Sequence, residues 1–173
     1  MRMVDPEADE ALLLALLNSA PVVDGVPTDE LSTEDKARSW LDLHAPSLAP
    51  MSAQSLREAR TALQAVIRAQ ESATVLTPLL DGVSWHPSTT PDGINWHIEG
   101  DSVTTRAVLA WGSLRTSAPG RLRPCANTDC ALFLLDRSKP NNARWCSMAT
   151  CGNRMKARRH YQRTRTHTSD KTE

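Results

Sequence analysis

Cys125-Ala126-Asn127-Thr128-Asp129-Cys130 and Cys146-Ser147-Met148-Ala149-Thr150-Cys151 are the two stretches that decide the fold of the C-terminal part, and they contain all four cysteines of the chain. Zinc favours four soft, deprotonated ligands in a tetrahedron, and cysteine pairs that are close in sequence supply two ligands each. The first interpretation is therefore one structural zinc ion on Cys125, Cys130, Cys146 and Cys151.

Two disulfides, a redox switch and a catalytic metal are the alternatives for these cysteines. The leucine-rich run at 11–17 follows acidic rather than cationic residues, which argues against a signal peptide. No stretch approaches the roughly 20 apolar residues that span a bilayer. We therefore expect a cytoplasmic protein without a membrane partner, in which thiols stay reduced. Four thiolates leave no open position for water, so a structural zinc is favoured over a catalytic one.

The residues around the two pairs predict a small treble-clef-like module. The apolar run 132–135 is a strand candidate, 138–142 is turn material, and Ser147 is a good N-cap for a helix that runs to about Arg163. The order is thus knuckle, β-hairpin, knuckle, helix. So few apolar residues cannot form a stable core alone, and bound metal would supply the missing folding free energy.

The predicted last helix carries a basic stripe beside the metal site. At about 100° per residue, Lys156, Arg159 and Arg163 lie about a third of a turn away from Cys151. Basic stripes of this kind bind nucleic-acid phosphates independently of sequence, although a solvated cationic face is the simpler alternative. Four more arginines are candidate contacts: Arg158, Arg154, Arg144 and Arg123.

The charges of the two halves are opposite. Residues 1–120 carry 8 Lys and Arg against 16 Asp and Glu, whereas residues 121–173 carry 12 against 4. An acidic body of net charge −8 is therefore joined to a basic part of net charge +8. This asymmetry favours a polyanion as the partner of the C-terminal part.

The N-terminal part predicts a mostly helical domain, so that the fold class is α+β and mostly α. Helices are expected over about 5–19, from Ser32 or Thr33 to Pro46, over 52–73, and from Ser102 to the Ser117-Ala118-Pro119-Gly120 stop. The sequence Ser55-Leu56-Arg57-Glu58 has the form of a capping box at the start of the third helix.

A two-stranded hairpin with one apolar face is expected between the third and fourth helices. Val83 and Trp85 alternate with polar residues on one side of Thr90-Pro91-Asp92-Gly93, and Ile94, Trp96 and Ile98 do so on the other. Trp85, Trp96 and Trp111 are interpreted as core residues. Alternatively, the hairpin tryptophans line the small-molecule pocket of a sensor domain. His86 and His97 are interpreted as ordinary histidines, because no third metal ligand is close in sequence.

These patterns divide the chain into three regions. Residues 1–118 form the α-rich domain, 121–165 the zinc module, and 166–173 a polar tail that we expect to be disordered.

Several motifs of the C-terminal region occur together in a known family. Arg121-Leu122-Arg123-Pro124-Cys125, Arg144-Trp145-Cys146-Ser147-Met148 and Cys151-Gly152-Asn153-Arg154 resemble the CGNR zinc-finger family. Leu16-Leu17-Asn18-Ser19 and Trp40-Leu41 resemble the opening of the ABATE-type domain that accompanies this finger, to which stress-induced transcription regulation is ascribed. The resemblance implies zinc on the four cysteines and a DNA-binding, regulatory role of the bacterial type.

The leading hypothesis is a transcription regulator whose N-terminal domain senses or associates and whose zinc module contacts DNA through its last helix. A protein-interaction adaptor, whose basic helix docks on an acidic surface, and an RNA-binding module are the alternatives. The sequence leaves open a small-molecule effector of the N-terminal domain and a homodimer. Nothing in the sequence assembles a catalytic acid, base or nucleophile, so an enzyme is not expected.

Overall fold

Four α-helices form the body of the protein in a computed structural model that describes residues 2–3, 5–23, 25–158 and 161–162. They are α1 (Pro6–Leu17), α2 (Glu34–His44), α3 (Ala53–Ile67) and α4 (Val103–Ser117). A 3-10 helix, Ala73–Leu80, links α3 to the β-hairpin. The fold is α+β and mostly helical, as predicted. No helix in the described ranges is long and apolar enough to cross a membrane.

A local capping residue begins each of the four α-helices. Asp5 accepts a hydrogen bond from the Ala8 amide at the start of α1, at 3.2 Å. Thr33 caps α2 and Ser102 caps α4, each by accepting from a backbone amide of the first turn. The predicted starts of α2 and α4 are therefore confirmed.

The capping box predicted at Ser55 is wrong. Ser52 is the N-cap of α3, and its hydroxyl accepts from the Ser55 amide at 3.1 Å. The Ser55 amide, which the capping box would pair with Glu58, is thus bonded to Ser52 instead. The Ala53 amide, in the first turn of α3, donates to the carboxylate of Glu34 of α2 at 3.0 Å. A carboxylate from a neighbouring helix therefore satisfies a first-turn amide for which the sequence pattern named no partner.

Helix α3 is also shorter than predicted. It ends at Ile67 rather than near residue 73, because Ala69 takes a left-handed conformation with φ of 57°. This conformation cannot continue a right-handed helix. The chain then enters the 3-10 helix, which directs it toward the hairpin.

The predicted hairpin is present and is joined by a third strand. Strands β4 (Ser84–Thr90) and β5 (Gly93–Glu99) pair antiparallel, with Trp85 opposite Ile98. The short strand β1 (Arg2–Met3) pairs with β5 on its other side. A second small pair, β2 (Val22–Val23) with β3 (Val26–Pro27), follows α1. Neither β1 nor this pair was predicted.

The tryptophans of the hairpin are not core residues, which corrects the prediction. Trp85 is 44% exposed and Trp96 is 50% exposed, while Trp111 is half-buried. Of the apolar hairpin face, only Ile98 is fully buried. Ile98 lies opposite Trp85, far from the turn, and residues of α1 and α4 line the space beside this pair. The two indoles instead pack edge to face, with ring centroids 6.3 Å apart.

The core lies between α1, α3 and α4, and α2 covers one side of it. Leucines of α1 form its centre, as expected of a helix that is apolar on more than one face. Phe133, from beyond the predicted domain boundary, belongs to the same cluster and is 1% exposed. The largest fully buried side chains of the body are Leu13, Leu16, Leu17, Leu31, Leu56, Leu63, Leu76, Ile98 and Val103.

Two arginines are buried within the helical body and are paired with carboxylates. Arg60 of α3 forms a two-point ion pair with Asp29, with nitrogen–oxygen distances of 2.7 and 2.8 Å. Arg106 of α4 binds Asp101 at 2.6 Å and Asp9 of α1 at 3.1 Å. Buried charges of this kind are tolerated because they are paired and hydrogen-bonded. They join α1, α3 and α4 around the leucine core.

Candidate metal centre and basic helix

The four cysteines converge on one point in the structure. Their sulfur atoms all lie within 4.8 Å of one another, and the Cys130–Cys146 and Cys146–Cys151 pairs are 3.7 Å apart. A zinc ion with four sulfur ligands at about 2.3 Å gives edges of about 3.8 Å, whereas a disulfide requires about 2.05 Å. The spacing therefore fits a tetrahedral zinc site, and the cysteines are free thiols rather than disulfides.

Protein hydrogen-bond donors surround the sulfur atoms. The amide of Cys146 points at the Cys125 sulfur, at 3.4 Å, and the side-chain amide of Asn127 points at the Cys151 sulfur, at 3.5 Å. Burial raises the pKa of the Cys151 thiol, but the hydrogen bond from Asn127 and those from the other thiols outweigh it, so the net shift of this pKa is downward.

Burial has the opposite outcome at the Cys130 and Cys146 thiols, where it outweighs any effect that lowers the pKa. It is the main cause of the raised pKa of Cys130 and of Cys146, and the neighbouring sulfur atoms add to it at Cys146. Four thiolates packed this closely need a positive ion among them. The donor set thus has the composition, spacing and charge that zinc requires.

The strands of the module are paired differently from the prediction. Strand β6 (Leu122–Pro124), which precedes the first cysteine, pairs antiparallel with β7 (Phe133–Leu135). The β-hairpin therefore encloses the first cysteine pair, whereas the sequence had suggested a hairpin between the two pairs. The second half of the module is attached through the Ala126 amide, which donates to the Arg144 carbonyl at 2.8 Å. A run of Asn and Pro at 140–142 leaves little opportunity for a second strand there.

A buried carboxylate holds the two halves of the module together. Asp136, 3% exposed, accepts from the amides of Ser138 and Ala143 at 2.9 and 2.7 Å, and from Arg123 at 2.6 Å. Hydrogen bonds from Ser138, then the Ala143 amide and the Arg123 charge, lower the pKa of Asp136 to about 2. Asp136 is therefore ionised at neutral pH and braces the loop that carries the second cysteine pair.

The second cysteine pair opens a helical segment, as predicted. The Ser147 hydroxyl accepts from the Thr150 amide at 3.3 Å and caps a π-helical turn, Met148–Gly152. Residues 153–158 and 161–162 continue as α-helix. An added Cβ at Gly152 would lie 2.9 Å from the end of the Met148 side chain, so a larger residue there would require that side chain to move. The wider turn places Cys151 inward while the helix leaves the module.

Six of the seven predicted nucleic-acid contacts fall into three groups in the structure. Lys156, Arg154 and Arg144 are exposed, and Arg144 lies over the ring of Trp145, 5.2 Å from its centroid. Arg158 is exposed but pairs with Asp129 at 3.2 Å. Arg159 and Arg163 lie outside the described residues, as do His160 and the tail 166–173.

The seventh candidate, Arg123, is directed into the module. Its guanidinium donates to the Gly120 and Ala143 carbonyls, to the Asn141 side chain and to Asp136. These bonds engage all three nitrogens of the group. Arg123 thus has a structural position in the described coordinates, between the strand β6 and the loop before Arg144.

His86 and His97 face each other across β4 and β5; His86 contacts Ser84 and Glu99, and His97 contacts Ser88. Among the described residues, the cysteine cluster is the one group of three or more His, Cys, Asp or Glu side chains that are close enough together to hold a metal ion.

The module is fastened to the helical body through β7. The Asn18 side chain accepts from the Phe133 amide at 2.7 Å and donates to the Phe133 carbonyl at 3.1 Å. Arg68 of α3 lies over the Phe133 ring, 4.5 Å from its centroid, and donates to the Ala131 carbonyl at 3.1 Å. Arg137 pairs with Glu10 of α1 at 3.0 Å. The module and the body therefore share one hydrophobic core, and hydrogen bonds and an ion pair also join them.

Sequence reasoning did not identify Asn18, Asn127 or Asp136 as residues of this site. Asn127 and Asp136 follow the first cysteine and the apolar strand as ordinary turn residues, and their partners are not adjacent in sequence. Asn18 is 115 residues from Phe133. The one available signal was an asparagine directly after the buried leucines of α1, in a position suited to a helix end.

Two family models match the chain. The model described as CGNR zinc finger matches residues 121–164. The model named ABATE and described as "putative stress-induced transcription regulator" matches residues 10–132, more than half of the chain. Both resemblances seen in the sequence are thereby confirmed. No curated protein matches the chain. With the geometry of the cluster, the match to the finger assigns one structural zinc ion to the four cysteines.

Proposed function

The chain belongs to the ABATE family and contains a CGNR zinc finger at residues 121–164, and from this premise we propose that it is a DNA-binding transcription regulator. Zinc organises the module, and the helical segment that begins at Met148 and contains Cys151 contacts DNA phosphates. The observation that carries this proposal is the exposure of Arg154 and Lys156 on a helix whose first turn contains a zinc ligand. Such a helix has a fixed direction relative to the rest of the protein.

The proposed contacts are ranked by what the structure leaves accessible. Lys156 and Arg154 come first, and Arg159 and Arg163 extend the same helix by sequence. Arg144, stacked on Trp145, is placed to contact a sugar or phosphate. Arg158 pairs with Asp129 where both side chains are more than half exposed, and exposed pairs of this kind are weak enough to exchange for a phosphate. In this proposal Arg123 supports the module instead of binding DNA.

In this proposal residues 1–118 and 121–165 have different roles, and contacts between them make the two regions act together. The N-terminal part senses a small effector, and a change in its helices reaches the zinc module through Asn18 and Phe133. Because reduced thiols are needed for the metal, we place the regulator in a bacterial cytoplasm. A homodimer on a two-fold DNA site is consistent with regulators of this size.

A gel-shift experiment with charge reversals tests the proposal. The triple variant Lys156→Glu, Arg159→Glu, Arg163→Glu is compared with Lys36→Glu, Arg38→Glu, Arg115→Glu, which changes the net charge equally on exposed positions of the body. We expect the first variant to lose binding to genomic DNA fragments at moderate salt, while it keeps one zinc ion per chain and the control keeps its affinity. Equal binding by the two variants would contradict the proposal. Competition by single-stranded RNA but not by duplex DNA would assign the helix to RNA instead.

The salt dependence gives a second readout. Each phosphate that a Lys or Arg neutralises contributes about −0.9 to the slope of log K against log salt concentration on duplex DNA. The single variant Lys156→Gln should therefore reduce the magnitude of the slope by about 1, uniformly across DNA sequences. An unchanged slope would remove Lys156 from the interface.

A further inference from the structure

A cleft of about 360 Å³ lies where the zinc module meets the helical body. Its volume is within the range of about 300–1,000 Å³ that is common for small-molecule sites. Leu114 and Ala118 at the end of α4 and Leu135 of β7 give it an apolar wall. Three cationic residues also line it, and none of them belongs to the contacts predicted from the sequence: Arg121, Arg137 and Lys139.

Arg121 is held in one orientation at this cleft and keeps donors available. Its Nη1 donates to the Asp136 carbonyl at 2.8 Å and to the Ser138 carbonyl at 2.7 Å. Its Nε and Nη2 have no acceptor within the described ranges, and neither atom is buried. These two nitrogens form one edge of the planar guanidinium, and such an edge can bind a phosphate or carboxylate at two points.

The other two cations of the cleft also have donors available. Lys139 is exposed and makes no ion pair within the described part of the chain. Arg137, whose side chain is 64% exposed, uses only Nη2 for its pair with Glu10, at 3.0 Å. Both residues belong to the loop whose carbonyls hold Arg121. Donors of three cationic side chains are therefore accessible around one cleft.

The charges of the cleft favour an anion. Each of its two carboxylates is paired with an arginine, Glu10 with Arg137 and Asp136 with Arg123. Arg121 and Lys139 have no counter-ion among the described residues, which leaves two positive charges uncompensated. A phosphate monoester carries about 1.5 to 2 negative charges at neutral pH and three acceptor oxygens. Its charge and its acceptors match what the cleft offers.

We propose that this cleft binds a small phosphate monoester. The phosphate accepts from the Nε–Nη2 edge of Arg121 and from Lys139, and the organic part of the ligand rests on Leu114 and Leu135. A small ligand is favoured over the DNA backbone because the cleft combines the charges with an apolar wall, as small-molecule sites do. The proposal goes beyond the regulatory function proposed above, and binding at this cleft does not depend on that function.

The test is a titration of the full-length, zinc-loaded protein followed by ¹⁵N NMR. Phenyl phosphate is the probe, and phenol and benzoate are controls that have the same ring with no charge or a single charge. The ionic strength is kept at about 0.15 M and the pH above about 7, where the phosphate is largely a dianion.

We expect saturable shifts of the Arg121 Nε–H and of the 137–139 amides with phenyl phosphate at concentrations up to about 10 mM. Phenol should cause no shifts there, and benzoate should bind at least about fivefold more weakly because it carries less charge. No saturable shift with phenyl phosphate, or equal binding of either control, would overturn the proposal.

A matched pair of variants places the binding. Lys139 and Lys36 are both exposed lysines, but only Lys139 lines the cleft. Lys139→Glu should weaken the binding of phenyl phosphate at least about tenfold, because a repulsion replaces an attraction, and Lys36→Glu should leave it unchanged. One zinc ion per chain in both variants shows that the module is folded. Equal affinities of the two variants for phenyl phosphate would refute the site.

Gel shifts on the same two variants separate a small ligand from DNA. For a small-ligand site, the two variants should bind genomic DNA fragments equally well. A DNA affinity at least about tenfold lower for Lys139→Glu than for Lys36→Glu would assign the cleft to the DNA interface and overturn the small-ligand proposal. Absence of DNA binding by the unmodified protein would refute the proposed regulatory function, whereas the NMR result would stand.

Discussion

The Asn18 side chain makes hydrogen bonds with both backbone polar groups of Phe133. Its carbonyl oxygen accepts from the Phe133 amide at 2.7 Å, and its amide donates to the Phe133 carbonyl at 3.1 Å. Asn18 is the C-cap of α1, and Phe133 begins β7 three residues after the zinc ligand Cys130. The end of a core helix is therefore bonded directly to the strand that follows the first cysteine pair. Folding of the body and folding of the zinc module are linked through this contact.

Replacing Asn18 with alanine should destabilise the chain by about 2 kcal/mol, because it leaves a buried amide and a buried carbonyl of Phe133 without partners. The free energy of unfolding, measured in urea with zinc present, checks this value. Asn142→Ala, at an exposed position of the module, is the matched control and should change stability by less than about 0.5 kcal/mol. Equal effects of the two changes would mean that the Asn18 contact does not couple the two regions.

Removal of zinc should loosen the helical body as well as the module. Structural zinc sites in finger peptides contribute about 10–16 kcal/mol of apparent binding free energy, so a chelator should unfold the segment around the cysteines. Phe133 would then leave a core that includes Leu16 and Leu17 of α1. Amide hydrogen exchange of α1, measured before and after chelation, should become faster.

A variant that lacks one zinc ligand provides the control for the chelation experiment. Cys151→Ser removes a ligand without touching the body, and it should reproduce both the loss of one zinc ion per chain and the faster exchange of α1. If α1 exchanges at the same rate with and without zinc, the body is stable independently of the module and the coupling is refuted.

Features that depend on neighbouring residues were predictable from the sequence. The caps at Thr33 and Ser102, the hairpin around Thr90-Pro91-Asp92-Gly93 and the cysteine cluster all rest on spacings of a few residues. Features that depend on distant partners were not. The choice of Ser52 over Ser55 as the cap of α3 is accompanied by the long-range bond from Ala53 to Glu34.

The tryptophans show a second limit of pattern reading. Alternation identified correctly that Trp85, Trp96 and Ile98 share one face of the hairpin. It could not reveal how far the helices extend beneath that face, and only Ile98 is covered. The buried Arg106 ion pairs are similar, because the arginine meets Asp9 of α1 only when α1 and α4 pack together.

Asp136 should control how firmly the zinc is held. Asp136→Asn keeps the shape of the side chain but removes the charge that binds Arg123 and weakens the bonds from Ser138 and Ala143. The loop that carries the second cysteine pair should then move more freely, and zinc should transfer to a colorimetric chelator about 10- to 100-fold faster, as for other residues that support metal ligands. Asp129→Asn, an exposed carboxylate of the same module, should leave the rate nearly unchanged. Equal rates for the two variants would argue against a bracing role for Asp136.

The Arg60–Asp29 pair should make stability depend on pH in the acidic range. Hydrogen bonds from Arg60 are the largest cause of the lowered pKa of Asp29, and the Leu31 amide adds to them. Because the pKa is lower in the folded than in the unfolded chain, where it is about 3.9, this carboxylate stabilises the protein fully above that value and loses its effect as the pH falls through the folded-state pKa. Asp29→Asn should cost about 2 kcal/mol at pH 7, since it leaves Arg60 buried without its counter-ion. The difference in unfolding free energy between the two proteins should shrink as the pH is lowered from 5 to 3 (roughly the window set by these pKa values).

Urea unfolding at each pH measures the difference, and effects common to both proteins, such as proton competition at the zinc site, cancel in the comparison. Asp42→Asn, at an exposed position of α2, serves as the control and should show no such trend. A difference that stays constant down to pH 3 would show that the Asp29 charge does not stabilise the fold.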